Sequence, residues 1–261
     1  MLTRRIIPVL LLMNGHIVRA ERFSDFKVIG NPFAELARYS EWQADELVYL
    51  DISREPGLEA GRTDTRERPA SGMVDLLSRI AEVAFMPLAF GGHIRSLEDA
   101  ATLIRHGADK VVVTSAAGRD PGLIGAIARR FGRQAVVAGI DVRQGAAFID
   151  HGRVKVADDI AAYARALEAA GAGEILVNAI DRDGMAEGYD LAAIAAVAGA
   201  VSLPVIACGG AGQPRHMAEA LAAGAHAAAA GNLFHFTENA YRRAKRQLRE
   251  AGLPVRWPYG S

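Results

Sequence analysis

Eight short runs rich in Val, Ile and Leu alternate with longer Ala/Leu/Glu/Arg stretches of helical period, which predicts an α/β fold: a single (βα)8 barrel. A repeat at a constant offset and paired Gly-rich strand ends point the same way. At 261 residues and 27.7 kDa the chain has the size usual for one such barrel, and residues 1–261 are read as one domain. A doubly wound sheet is the alternative. Its dinucleotide-binding version would need a Gly-x-Gly-x-x-Gly fingerprint after the first strand, and none is present.

The first strand is expected at 6–12, an apolar run, and its helix near 33–44, opening at Asn31-Pro32. The second strand, 47–52, is followed by 53–71, SREPGLEAGRTDTRERPAS, which is polar, rich in Gly and Pro and without period. It reads as a long loop on the active face of the barrel. A helix near 71–84, the third strand at 87–91 and a helix near 96–106 capped by Ser96 come next. The fourth strand is at 110–114 with a helix near 119–131, and the fifth at 135–141. After it, 143–156, RQGAAFIDHGRVKV, reads as a hairpin on the active face. Helices near 157–170, 190–199, 214–223 and 237–251 alternate with strands at 174–180, 204–209 and 226–230.

Pro87-Leu-Ala-Phe-Gly-Gly-His93 aligns with Pro204-Val-Ile-Ala-Cys-Gly-Gly210, each end 117 positions apart. Gly107-Ala108 falls on Gly224-Ala225, and Thr114-Ser115 on Gly231-Asn232, at the same offset. Glu46-Leu-Val-Tyr-Leu and Glu174-Ile-Leu-Val-Asn form a further pair at a slightly larger offset. The chain reads as two similar half-barrels.

The 30 Lys and Arg balance 30 Asp and Glu, which removes the global attraction expected of a nucleic-acid or polybasic membrane binder. At 51% hydrophobic and 23% charged residues, intrinsic disorder is excluded. The single cysteine, Cys208, excludes an intramolecular disulfide and is read as a small core residue. No Cys/His cluster has zinc-site spacing, so neither metal nor cofactor is expected. The apolar run at 6–13 is too short for a signal core or a membrane span, and a cytoplasmic location is expected.

Gly209 and Gly210 end the seventh strand and Gly231-Asn232 follows the eighth, where backbone N–H groups of adjacent units can converge on a phosphate. The sister half offers Gly92, Thr114 and Ser115, with His93 in the place of Gly210; a side chain there crowds close backbone approach and alters the second cradle. Asp141 closes the fifth strand, and Asp181 and Asp183 lie in the Asp-Arg-Asp-Gly stretch after the sixth. Asp141 and Asp183 are the expected acid–base groups, with one of the two aspartates of that stretch structural. At the opposite ends of the strands, Arg5, Glu46, Lys110 and Glu174 are expected to converge around the barrel axis as alternating charges. Phe234, His235 and Phe236 are read as packing.

Together these residues resemble the cyclase subunit of imidazole glycerol phosphate synthase, the HisF family, over nearly the whole chain. The resemblance is carried by RRIIP at 4–8, DELVYLDI at 45–52, GADKV at 107–111, GAGEIL at 171–176, IDRDG at 180–184, GYD at 188–190, CGGAG at 208–212 and LFHF at 233–236. It implies a barrel that takes ammonia from a bound HisH-like glutaminase, admits it through a gate formed by Arg5, Glu46, Lys110 and Glu174, and uses it on a phosphorylated small molecule at the other end. The family's first-strand aspartate is missing: Leu11 stands at its position, while Asp141 matches the second, fifth-strand aspartate. Acid–base groups of this kind are typically worth a factor of about 10² to 10⁴ in rate. PVLLLMNG at 8–15 and FMPLAFGG at 85–92 are similar to the HisF-like, WbuZ-type proteins of surface-polysaccharide loci. That similarity implies acetamidino-group formation on a nucleotide-linked amino sugar, with a sugar amidotransferase as a further partner. The alternatives are a cyclase of histidine biosynthesis and a non-catalytic barrel that binds and activates a glutaminase.

Overall fold

The computed structural model describes residues 3–53, 70, 72–235 and 239–257. Apart from Ser53 and Ala70, the loop expected at 53–71 lies outside them, as does Phe236. The wall is made of β1 (Arg5–Met13), β4 (Leu47–Asp51), β5 (Leu88–Gly91), β6 (Lys110–Val113), β7 (Val136–Arg143), β10 (Glu174–Ala179), β11 (Val205–Cys208) and β12 (Ala227–Ala230). All pair in parallel in that order, and β7 pairs with β10 over six residues while β12 pairs with β1, so the sheet closes into an eight-stranded barrel.

Inward side chains alternate along each strand. Ile7, Val9, Val48, Val112, Val137, Leu176 and Ile206 fill the barrel's inside, with Ala89, Ala227 and Ala229 as small neighbours. The outward side chains join the helices in a larger apolar layer, in which Leu10, Tyr49, Ile175 and Phe234 are almost completely buried. The covering helices are α1 (Pro32–Glu41), α2 (Met73–Val83), α3 (Leu97–Arg105), α4 (Ser115–Arg119), α5 (Gly122–Phe131), α6 (Ile160–Ala170), α7 (Leu191–Ala200), α8 (Pro214–Ala222), α9 (Asn232–His235) and α10 (Ala240–Glu250).

The half-barrel repeat is structural. β5, α3 and β6 match β11, α8 and β12 at an offset of 117 residues at every boundary. Each half also carries an antiparallel hairpin beyond its first strand. In the second half, β8 (Ala146–Ile149) and β9 (Val154–Ala157) form the one expected within 143–156. In the first half, β2 (His16–Glu21) and β3 (Asp25–Gly30) form one the expectation lacked. Both turns are of the type that needs two left-handed residues, Asn14 and Gly15 at φ of 50° and 80°, Gln144 and Gly145 at 50° and 77°. The helix expected near 119–131 is α5, starting three residues later, and a short additional helix, α4, precedes it. Pro121 forces Asp120 into an extended conformation (φ −143°, ψ 95°), which ends the first helix.

Beneath the barrel, α10 is tied to the strand starts by a buried polar cluster. The Lys245 ammonium donates to Asp45 Oδ1 at 2.6 Å, and Asp45 Oδ2 accepts the Ile6 N–H at 2.9 Å. The Tyr241 hydroxyl accepts the Asp45 N–H and donates to the Ile6 carbonyl. Burial pulls the Lys245 ammonium below the usual lysine range, and Asp45 acts against that pull. Removing one charge strands the other, so Lys245→Met is expected to cost about 3 kcal/mol in urea unfolding. Adding Asp45→Asn in the double variant should recover part of the loss.

Candidate functional site

The two mouths of the barrel differ in kind. At the N-terminal ends of the strands, the Arg5 guanidinium binds Glu46 Oε2 at 2.5 Å and Glu174 Oε2 at 2.9 Å. Lys110 Nζ binds Glu46 Oε1 and Glu174 Oε1, both at 2.9 Å. The four expected residues therefore form a closed ring of alternating charge. Glu46 is 2% exposed, so this is an inward-facing cluster and not a set of solvated pairs. Burial alone would push the Glu174 carboxyl up, but Arg5 and Lys110 hold it below the usual carboxylate range. At this same end, between α2 and β5, Phe85 is 92% exposed, with Val83 half-exposed beside it in sequence.

At the C-terminal ends lies a cleft enclosing about 1020 Å³ of space out to its opening. Asp141 and Asp183 both line it. Asp141 Oδ1 accepts a 2.9 Å hydrogen bond from the Asn178 amide, directly across the β7–β10 ladder. Burial pushes the Asp141 carboxyl up to about 6 despite that bond. Burial, with the charge of Asp141, takes Asp183 to about 7, and its Oδ2 is buried without a hydrogen-bond partner. Two carboxyls that titrate near neutrality can donate and accept protons at physiological pH.

The repeat places Leu11 in the first half where Asp141 stands in the second. Leu11 pairs with Val18 across its hairpin and with Leu50 on the next wall strand, β4, and Asp141 pairs with Phe148 across its hairpin and with Asn178 on the next wall strand, β10. The polar pair Asp141–Asn178 therefore faces an apolar counterpart, Leu11–Leu50, in one cleft.

Gly209 and Gly210 turn out of β11 with φ of 86° and 98° beside the Gly231-Asn232 start of α9, and all four line the cleft. A Cβ on Gly209 would lie 2.4 Å from the Ala179 carbonyl oxygen, so only glycine fits there. The Asn232 amide donates to the Ala20 carbonyl at 3.0 Å, tying the cradle to the β2 strand. In the sister half, Gly92, Thr114 and Ser115 line an adjoining cavity that opens to solvent. There His93 keeps the left-handed backbone of its counterpart, at φ 55°, and the cavity stays open: the imidazole lines the cradle without closing it. Ser115 Oγ accepts the Asp150 N–H at 3.0 Å.

Three lining residues differ from the sequence reading. Cys208 reaches the cleft, where burial and the Asp183 carboxylate raise its thiol to about 12, far from a usable thiolate. His235 lines the cleft as well as packing. Asp51 closes β4 and borders both openings, its Oδ1 accepting the Ser53 N–H and hydroxyl. The strand-end argument that selected Asp141 applies equally to Asp51. Among the described residues no three of His, Cys, Asp or Glu gather as metal ligands.

The family described as histidine biosynthesis protein matches residues 5–240 of this chain. The chain is 42% identical over 258 residues to the imidazole glycerol phosphate synthase subunit HisF of Pyrobaculum aerophilum, covering 97% of this chain and 98% of that protein. It is 42% identical over 261 residues to the subunit of the same name from Hyphomonas neptunium, covering 98% and 99%. The chain belongs to the HisF family. This HisF-family barrel carries the four-charge ring at one mouth, Asp141 and Leu11 in the cleft at the other, and His93 in the cavity beside it.

The shifted carboxyls predict a pH-dependent stability. Asp141 and Asp183 hold protons more tightly folded than unfolded, so between about pH 4 and 7 stability falls as pH rises. Asp141→Asn removes one of the two costs. Its melting temperature should exceed that of the parent by roughly 2–4 °C at pH 8, with the gap narrowing towards pH 5.

Proposed function

We propose that this chain is the ammonia-accepting barrel of a glutamine-dependent amidotransferase complex, acting on a phosphorylated acceptor other than the imidazole precursor. The observation that carries this reading is Leu11–Leu50 in the position related by the repeat to Asp141–Asn178. Leu11 cannot transfer a proton, so a reaction that needs carboxylates from both halves has lost one of them, while the ring of Arg5, Glu46, Lys110 and Glu174 is intact. Between ring and cleft the axis is apolar, with Ala89, Ala227 and Ala229 leaving the least side chain in the way. Neutral ammonia crosses such a lining far more cheaply than ammonium.

In this reading a HisH-like glutaminase docks at the ring end, with Phe85 as an apolar anchor. Gly209, Gly210, Gly231 and Asn232 hold the acceptor's phosphate, and Asp141 and Asp183 move protons as the nitrogen is added. The similarity of 8–15 and 85–92 to the polysaccharide-locus group favours an acetamidino sugar as product, with a sugar amidotransferase completing the complex.

A second reading, the imidazole-forming cyclase, is favoured by the two near-neutral carboxyls, Asp141 and Asp183, standing in as the proton-transferring pair. Turnover of the imidazole-forming ribonucleotide with excess ammonium salt separates the two. No turnover above background is expected from the parent chain; robust turnover would establish the cyclase. For the docking end, Phe85→Asp should weaken glutaminase binding at least tenfold in titration calorimetry, while the circular dichroism spectrum stays that of the parent.

A further inference from the structure

The helix α10 reads AYRRAKRQLRE, and no other helix among the described residues carries more than two Lys or Arg. Tyr241, Ala244 and Leu248 are buried against the barrel, and Lys245 is engaged by Asp45. Arg242, Arg246 and Arg249 follow at steps of four and three, which sets them in one row about 10 Å long on the outer side, with Arg243 beside it. Arg243, Arg246 and Arg249 are exposed, and among the described residues neither Arg243 nor Arg246 has an ion pair or hydrogen bond. The Arg249 guanidinium lies 4.9 Å from the Trp257 ring centre, and Arg242 donates to the Glu41 carbonyl of α1 at 2.7 Å. Arg215 on the neighbouring α8 and Arg256 beyond α10 are exposed as well. The exposed acids on α1, α8 and α10 are Glu41, Glu219 and Glu250. In a chain of zero net charge, this side therefore sets six arginines against three carboxylates.

We infer that this face of α10 is a peripheral docking surface for a bilayer of anionic phospholipid. The partner is set by what the face lacks as well as by its charge. No large apolar side chain is exposed on α10, so a protein partner would find no anchor to bury. The face has no exposed aromatic ring on which a base could stack. Seated beside α8 and α1, the helix does not project into a DNA groove that takes a whole helix. A plane of phosphate groups asks only for a row of cations, and guanidinium groups bind phosphate through paired N–H donors. Because the apolar side of the helix is held against the barrel, the chain rests on the headgroups without inserting, and its attachment is electrostatic throughout. None of these arginines lines the cleft or joins the charged ring, so docking engages neither mouth.

The test is co-sedimentation of the intact chain with vesicles of phosphatidylglycerol and phosphatidylcholine, about one to one, and with vesicles of phosphatidylcholine alone. The chain should partition onto the mixed vesicles in about 0.05 M NaCl, at least about tenfold less in about 0.5 M NaCl, and not onto the neutral ones. Each basic residue at such a surface is worth roughly a fivefold gain in partitioning, so the double variant Arg243→Glu/Arg246→Glu should bind at least about tenfold more weakly while its circular dichroism spectrum stays that of the parent. The double variant Arg129→Glu/Arg165→Glu changes the net charge equally at exposed positions of α5 and α6, and it should bind as the parent does. Absence of binding to the mixed vesicles, equal binding to the neutral ones, retained binding in the α10 variant, or an equal loss in the α5/α6 variant would each overturn the proposal. Tighter binding to duplex DNA or to polyglutamate than to the mixed vesicles, at equal charge concentration, would do the same. No glutaminase, ammonia or acceptor enters the measurement, so its outcome is independent of the ammonia reading.

Discussion

The pairing of β7 with β10 along six residues is the constraint on which everything else depends. It closes the sheet, and a closed parallel sheet has no freedom to slide one strand without moving all the others. Because side chains alternate in and out, closure sorts the interior into levels. Arg5, Glu46, Lys110 and Glu174 meet at one level because they occupy matching strand starts, and they meet as alternating charges. Two inward steps along, the lining is hydrocarbon, and at the far rim Leu11, Asp141 and Asn178 share the cleft. A one-residue slip would bury the charges among the helices, at a cost the fold could not sustain.

The two halves obey one plan and then depart from it, and the departures lie at the rim. In β1 and β7 the backbone pairings of Leu11 and Asp141 are equivalent, so the different chemistry comes from side chains alone. The same holds for His93 and Gly210, which share a left-handed backbone. In the second half's rim Asp141 and Asp183 sit in a poorly solvated corner, which is why both are pushed towards neutrality. In the first half, Leu11 and Leu50 line the cleft together with Asp51, and His93 lines the adjoining cavity.

Much of this was legible from the chain. Strands show as short Val/Ile/Leu runs because both their faces are buried, and the constant offset of 117 residues survives because neither half carries an insertion between β5 and β6 or between β11 and β12. The charged ring was legible because a strand start is easy to recognise. The first hairpin was not, although Asn14-Gly15 carries the turn signal, because the apolar run of β1 dominates the reading. The short α4 ahead of Pro121 was not legible, because five residues are too few to show a helical period. Which face a residue takes at a strand end is harder still. Cys208 turns to the cleft because closure fixes the direction of β11, and His235 reaches it from α9, which starts at the rim beyond β12; both follow from contacts far apart in sequence.

Division of labour within the cleft follows from where charge can be stabilised. A carboxylate in the second half must be paid for by desolvation, and the Asn178 amide offsets only part of that cost. Had Leu11 been a carboxylate as well, a fourth acid would have joined Asp51, Asp141 and Asp183 in the cleft lining, and its charge would have disfavoured ionisation of its neighbours. With Leu11 and Leu50 in place, the two carboxyls pushed towards neutrality stand on one wall, and the opposite wall is apolar up to Asp51 at the end of β4. Such a cleft distinguishes the two sides of a ligand: its polar, reacting face is drawn to Asp141 and Asp183, and its apolar face to Leu11, Leu50 and Val9. The direction in which an acceptor lies is therefore set before any reaction, by the same register that closes the barrel.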